Sequence, residues 1–296
     1  MSYSTLNFPG AINGSQTLLT GIRRKKKSTV ITGFYKVNGL NVSYVKYNEG
    51  YYILNYYNYV TNLYGPCFLG HKRFRFVGNI VGTSGNLIGC YYTGKLDGSG
   101  EWKLLQPGKN TICHSTMGDL IVGNTQDDLT LSISSAFIYD ITRNKYINIE
   151  KKGSKSVTAY GIWHNGEHSY TICGAYSPLV GATDIGYTVD YNSKTKKFCN
   201  WKDYYYNDNS STSSVTHFDG ITARKCGGFN LTGVATVNGV EVGFFLSTHN
   251  GKNVWKELKY PNSNLTTGNS IVNNTVIGVY TVMGYDTVNG YIVDLS

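Results

Sequence analysis

A glycine set inside a short run of β-forming residues recurs six times along this chain, at Gly33, Gly78, Gly123, Gly174, Gly233 and Gly278. The intervals are 45, 45, 51, 59 and 45 residues. Ten to thirteen residues after each glycine comes a second marker, a small residue and then usually an aromatic one: Ser43-Tyr44, Gly89-Cys90-Tyr91, Ala136-Phe137, Gly186-Tyr187, Gly243-Phe244 and Gly290-Tyr291. A glycine within a strand marks the close approach of other atoms. A period of this length marks a repeat architecture. The clearest unit spans 214–261. It reads as strands over 215–222, 230–236, 240–248 and 254–260, with turns at 224–228 and 249–252 and an Asn238-Gly239 hairpin signal between. Four antiparallel strands in about fifty residues is one propeller blade. The chain is expected to be all-β, a six-bladed β-propeller of four-stranded antiparallel blades.

The blades fall approximately at 17–57, 61–107, 111–152, 157–206, 214–261 and 268–296, in one domain. The sixth repeat stops after its third strand. At the other end, Leu6-Asn7-Phe8-Pro9 copies the form of Leu258-Lys259-Tyr260-Pro261, the end of the fifth blade's outer strand. The segment Tyr3 to Phe8 is therefore expected to complete blade six and close the ring, which removes exposed strand edges.

The repeats resemble the HAF type in Gly21-Ile22, Gly161-Ile162 and Gly220-Ile221, in Ile31-Thr32-Gly33-Phe34-Tyr35, in Gly243-Phe244-Phe245 and in Asn7-Phe8-Pro9-Gly10-Ala11. The resemblance extends over the whole chain and is loosest in the third blade. It implies propeller blades and no particular chemistry.

Composition excludes several classes. No run of eighteen apolar residues exists, so no membrane insertion is expected. The N-terminus lacks the basic and apolar regions of a secretory signal, which points to the cytoplasm or a larger assembly such as a virion. The six cysteines fall in different blades without a C-x-x-C pair, so neither zinc nor a disulfide framework is expected, and no cofactor is implied.

Two groups of residues invite a functional reading. The run Arg23-Arg24-Lys25-Lys26-Lys27 sits in the first hairpin of blade one, with Lys72, Arg73, Arg224 and Lys225 at the equivalent turns of blades two and five. With a net charge of +9, these could bind nucleic acid or another polyanion, or be solvated hairpin tips. The second group is expected around the central channel. Counting back from the first hairpin pairs His114 roughly with Gly123 and sets His217 opposite Val234, with Tyr64, Tyr160 and Asn269 at corresponding places and Asp219 beside His217. Polar side chains converging on a channel mouth form the default ligand site of such a ring. Their bland counterpart is a hydrogen bond to the neighbouring blade.

No serine or cysteine elbow accompanies these histidines, and the 18 carboxylates, mostly in turns, offer no evident pair for glycoside hydrolysis. The 26 tyrosines, several in consecutive runs, suggest exposed aromatic contact surface or simply β-propensity. The resulting expectation is a non-enzymatic binding or structural module that contacts protein or glycan. A polyanion-binding propeller is the alternative, and a hydrolase or lyase with a channel-mouth histidine site is the second.

Overall fold

In the computed structural model of the protein, residues 2–11, 16–131, 133–179, 183–210, 213–284 and 287–295 are described. They form six antiparallel blades arranged as a propeller, with one short 3-10 turn at Tyr206–Asp208. Blade one runs Thr17–Lys25, Ser28–Val37, Leu40–Tyr47 and Gly50–Ile53 from the centre outward. Blades two, three and five repeat this order from inner strands Thr61–Gly70, Asn110–Met117 and Ser213–Ala223. In blades four and six the inner strand is broken, into Ser156–Val157 and Gly161–Gly166 and into Leu265–Thr266 and Ser270–Val272. Among the described residues no helix is long and apolar enough to cross a membrane.

The ring closes as the sequence implies. Ser2–Thr5 pairs antiparallel with Val288–Asp294, Ser2 opposite Asp294 and Thr5 opposite Tyr291. The chain then continues along the same edge, where the Leu6 amide donates to the Gly290 carbonyl at 2.8 Å. Phe8 carries the seam into blade one, stacked on Tyr35 at 4.1 Å between ring centroids.

The two sequence markers prove to be one contact seen from two strands. Each repeat glycine lies directly opposite the residue of the second marker on the third strand: Gly33 faces Tyr44, Gly123 Phe137, Gly174 Tyr187, Gly233 Phe244 and Gly278 Tyr291. In blade two the partner of Gly78 is Cys90. On the other side, a Cβ on any of the six would be driven into a carbonyl oxygen of the inner strand, that of His217 for Gly233 and that of Asn62 for Gly78. In blades four and six the tyrosine crosses the glycine and donates its hydroxyl to that same carbonyl, Tyr187 to Thr158 at 2.7 Å and Tyr291 to Thr267 at 2.6 Å. The small residue beside each aromatic makes room for the next blade. Gly89 lies against Thr111 and Cys113, and Gly186 against Thr216 and Phe218.

Most tyrosines are consequently structural. Tyr44, Tyr92, Tyr187, Tyr191 and Tyr291 are among the largest fully buried side chains, and only a minority, such as Tyr57, stand out in solvent. The tyrosine runs therefore supply core far more than contact surface.

Replacing Gly233 by Ala should destabilise the fold by roughly 1–3 kcal/mol, because the added methyl has only backbone to displace. Removing residues 1–8 should lower the melting temperature by exposing the edge of Val288–Asp294. Thermal denaturation followed by far-UV circular dichroism checks both, and an unchanged transition in the truncated chain would refute the closure argument.

Candidate active site at the channel mouth

Immediately after the residue that faces the repeat glycine, every inner strand loses register with its neighbour. The irregularity falls between Leu19 and Gly21, Leu63 and Pro66, Cys113 and Ser115, and Phe218 and Gly220. In blades four and six the strand breaks at the same level, before Gly161 and before Ser270. A bulge leaves one residue unpaired and re-aims its side chain. The residues so released are Thr20, Tyr64, His114, Tyr160, Asp219 and Asn269, one from each blade, and together they line a single cavity of about 160 Å³.

The residue after each bulge is glycine or serine (Gly21, Gly65, Ser115, Gly161, Gly220, Ser270), which lets adjacent inner strands touch. A Cβ on Gly65 would meet the backbone of His114 and Ser115, and one on Gly220 that of Ser270. Polar atoms tie the ring together: Thr20 donates to the Leu63 carbonyl at 2.6 Å, and Asn269 to that of Leu19 at 2.7 Å.

The wall is chemically lopsided. From blade two to blade five the rings of Tyr64, His114, Tyr160 and His217 form a continuous arc. His114 meets Tyr64 edge-on at 5.2 Å, stacks on Tyr160 at 3.8 Å, and Tyr160 presents its face or edge to His217 at 4.4 Å in a T-shaped contact. Asn269 and Thr20 complete the circle with amide and hydroxyl groups.

His217 and Asp219 carry the charge. His217 Nδ1 lies 3.0 Å from Asp219 Oδ1, and its Nε2 lies 3.1 Å from Thr158 Oγ1. Thr158 Oγ1 also accepts from the Ala175 amide at 2.9 Å and lies 3.1 Å from the Ala175 carbonyl. If the hydroxyl proton goes to that carbonyl, Nε2 must donate, and a proton on Nδ1 as well matches the carboxylate beside it. Burial opposes the positive charge, but the Asp219 carboxylate, with Asp184 farther off, outweighs it and raises the His217 pKa above the ordinary imidazole value. His114 is the opposite case. Burial, reinforced by the charge on His217, lowers its pKa to about 3, so it stays neutral, and its Nε2 is buried without a hydrogen-bond partner. Burial pushes the Tyr64 phenol up to about 12 and that of Tyr160 higher still, so both keep their protons.

Below the cavity the channel is blocked. Arg23 follows Thr20 by three residues, and its guanidinium crosses to the opposite side of the ring. Nη2 donates to Ser115 Oγ of blade three at 3.1 Å and to the Ile162 carbonyl of blade four at 3.2 Å. Trp163 lies beneath it, 5.9 Å from ring centroid to guanidinium carbon.

These positions amend the sequence reading. The residue opposite Gly123 is Cys113, and His114 occupies the bulge. The blade-five counterpart of His114 is therefore Asp219; His217, opposite Val234, is the counterpart of Thr158 and Ile112. Thr20 was missed as a wall residue, although the bulged-residue-then-small pattern of Thr20-Gly21 matches Tyr64-Gly65, His114-Ser115 and Asp219-Gly220. Arg23 does not belong to a polyanion patch, because it is buried in the channel. Arg24, Lys25, Lys26, Lys27, Lys72, Arg73 and Lys225 are exposed, and Arg224 is half-buried with Nη1 donating to the Thr248 carbonyl at 3.2 Å. All of them sit at the first-hairpin end of the inner strands, on the face away from the cavity. Among the described residues no group of three or more His, Cys, Asp or Glu is placed to hold a metal ion.

No protein-family model matches the chain, and no curated protein matches its sequence. Solved structures do match in fold. A mutant α-L-arabinofuranosidase from Fusarium graminearum, in complex with an iminosugar inhibitor, is 13% identical with a TM-score of 0.55; the match covers 100% of this chain and 98% of that one. A thermostable family-43 glycoside hydrolase is 10% identical, with a TM-score of 0.48, over 86% of this chain and 96% of that one. The expectation of a non-enzymatic module is corrected here. It rested on the lack of a nucleophile elbow, metal set or evident carboxylate pair in a repeat scaffold, whereas the same fold, matched over the whole length of this chain, serves a glycosidase.

The pair makes a pH prediction with a defined sign. Because the His217 pKa is raised by folding, its contact with Asp219 stabilises the fold below the ordinary value of about 6.5 and fades as pH rises through the folded value. Asp219→Asn should therefore cost more stability at pH 5 than at pH 9, and should lower the His217 pKa in an NMR titration of the imidazole carbons. An unshifted His217 titration would show that the carboxylate does not govern it.

Proposed function

We propose that this protein is a hydrolase acting on a glycoside at the channel mouth, with Asp219 and His217 as its acid–base pair. The observation that carries the reading is one carboxylate, Asp219, on the wall of a cavity to which all six blades contribute, hydrogen-bonded to the His217 imidazole behind it. Neutral inner-strand residues would serve equally well to hold blades together. A charged pair at the level where four inner strands bulge and two break is placed for proton transfer. The likeness in fold to an α-L-arabinofuranosidase supports a sugar substrate.

The chemistry differs from that of a two-carboxylate glycosidase. Among the described residues lining the cavity Asp219 is the only carboxylate, so one carboxyl would both take and return a proton, with His217 hydrogen-bonded behind it. Asp219 faces the cavity and would take a proton from the attacking water as the water oxygen bonds the anomeric carbon; as the glycosidic bond breaks, the departing oxygen takes up a proton from the Asp219 carboxyl, whose charge His217 sets through its Nδ1 contact. Asp184, the other acid within electrostatic reach of His217, is engaged by the Ser177 hydroxyl. Tyr64, His114 and Tyr160 give the cavity an aromatic side against which a sugar ring can pack, and Asn269 and Thr20 line the rest with polar groups. The cavity is small beside the roughly 300–1,000 Å³ of a drug-sized site, which suits one sugar unit.

Purified protein should release sugar from a panel of aryl glycosides and oligosaccharides. Asp219→Asn and His217→Ala should each lower kcat by about 10²-fold or more at a temperature and pH where circular dichroism shows the variant still folded, the usual scale for loss of a general acid or base. A panel with no turnover, or turnover that survives both substitutions, would reject the proposal. Products bearing a new double bond would redirect it from hydrolysis to elimination.

A further inference from the structure

The face away from the cavity carries a charge pattern that the acid–base site does not use. In an antiparallel blade the turn between the first two strands and the turn between the last two lie at the same end. On this face those turns gather the cationic runs 24–27 of blade one, 72–73 of blade two and 224–225 of blade five. The outer turn of blade four adds Lys194, Lys196 and Lys197. None of these cations has an ion-pair partner among the described residues, whereas Lys46, Arg143 and Lys151 do. The turns between second and third strands, on the cavity face, are acidic instead. They hold Asp127, Asp128, Asp184 and Glu241, with Lys36 the one cation against them among the described residues.

Three of the lysines occupy positions that the backbone would give to another residue. Lys26, Lys72 and Lys196 are in the left-handed region, at φ of 55°, 57° and 58°. Asn or Gly is the unstrained choice there. Asn48 and Asn250 fill left-handed positions in two other turns of the same face. Unpaired like charges at neighbouring tips repel one another, and an anionic partner relieves that repulsion.

The pattern also selects the partner. The inner turns of blades three and four carry Asp119 and Glu167, so the basic half runs over blades five, six, one and two. The turn of blade six is uncharged, Asn273-Asn274, and a basic groove lies on either side of it. One, of about 340 Å³, is lined by Arg224 and Lys225; the other, of about 490 Å³, by Arg24, Lys27 and the Lys46–Glu49 pair. Asn230 Nδ2 donates to the Asn273 carbonyl at 2.8 Å and Arg24 Nη2 to Thr275 Oγ1 at 3.5 Å, which fixes the neutral ridge between the two grooves. A duplex presents the same arrangement in negative, two phosphate rows on either side of a groove. The exposed tyrosines Tyr52, Tyr57, Tyr59 and Tyr146 lie on outer strands or in the loop after one, away from these tips. The bases of a single strand, or the face of a sugar, would therefore find no ring to stack on.

We propose that the basic half of this face binds double-stranded nucleic acid through its phosphates, without reading sequence. The surface goes beyond the acid–base reading and stands independently of it. A flat anionic membrane would also press on Asp119 and Glu167, whereas a rod can lie on blades five to two and leave them uncovered. The acids of the cavity face repel the same rod, so the channel mouth stays open.

The test is fluorescence anisotropy of the full chain with labelled duplex DNA of about two helical turns, in two unrelated sequences. Both should bind alike, and affinity should fall about 10³-fold between about 50 and 200 mM salt, the scale for six phosphate contacts. Lys25→Ser with Lys26→Asn and Lys27→Ser should reduce the log–log salt slope by about three, and Lys72→Asn with Lys225→Ser by about two. Lys36→Ser with Lys109→Ser and Lys155→Ser, on the cavity face, should leave binding unchanged. No binding at about 50 mM salt, a slope near zero, or equal losses from the two faces would overturn the proposal. So would tighter binding of the single strand, or capture by heparin or by phosphatidylserine–phosphatidylcholine vesicles without capture of the duplex. The wild-type salt slope and the blade-two and blade-five variant decide the question even if the blade-one variant fails to fold.

Discussion

The architecture depends on a three-layer contact repeated in every blade: a glycine on the second strand, a side chain of the third strand over it, and an inner-strand carbonyl beneath it. With no Cβ on the glycine, the inner strand sinks against the second strand by the thickness of a methyl group. Nothing larger fits at Gly78 or Gly233, where the obstacle is backbone and cannot rotate away. The inner strand cannot hold that depth and keep perfect register, and it slips by a residue just beyond the contact. The packing contact and the bulge are therefore one device. The bulge residue is turned out of the ladder toward the axis, so a device that closes the blade also furnishes the wall of the cavity.

What the wall does is then set by which residue each blade places at its bulge. Five of the six are uncharged, and the sixth, Asp219, is balanced by His217 two residues earlier on the same strand. The neighbouring imidazole, His114, is stacked on Tyr160 with its Nε2 buried, and burial keeps it neutral. Two histidines on either side of Tyr160 thus have their pKa values pushed in opposite directions by their surroundings. Environments that push the pKa values of neighbouring groups apart are a recurrent property of acid–base sites. Arg23 lies below them, its guanidinium crossing the channel from blade one to blades three and four.

Much of this could be read from the chain alone. The spacing of Gly33, Gly78, Gly123, Gly174, Gly233 and Gly278 determined the blade count, and the Leu-x-aromatic-Pro match of Phe8 and Tyr260 determined where the ring closes. Both are statements about local pattern, and a repeat carries its pattern in sequence because each blade must solve the same packing problem. Tyr64, His114, Tyr160 and Asn269 were legible as neighbours of the channel because they share a position in the repeat, whereas in blade five the count chose His217 and Asp219 entered only as its neighbour. The tertiary structure alone decided the rest. A bulge is a one-residue slip that displaces every pairing beyond it, so counting back from the hairpin set His114 in place of Cys113 opposite Gly123, and Thr20 went unnoticed because the small residue after each bulge was not read as its mark. Nor could it say that Arg23, first of five consecutive cations, turns inward while Lys25, Lys26 and Lys27 face solvent. That separation exists only because the ring brings blade four opposite blade one, 139 residues later in the chain, and puts the Ile162 carbonyl within reach of the Arg23 guanidinium.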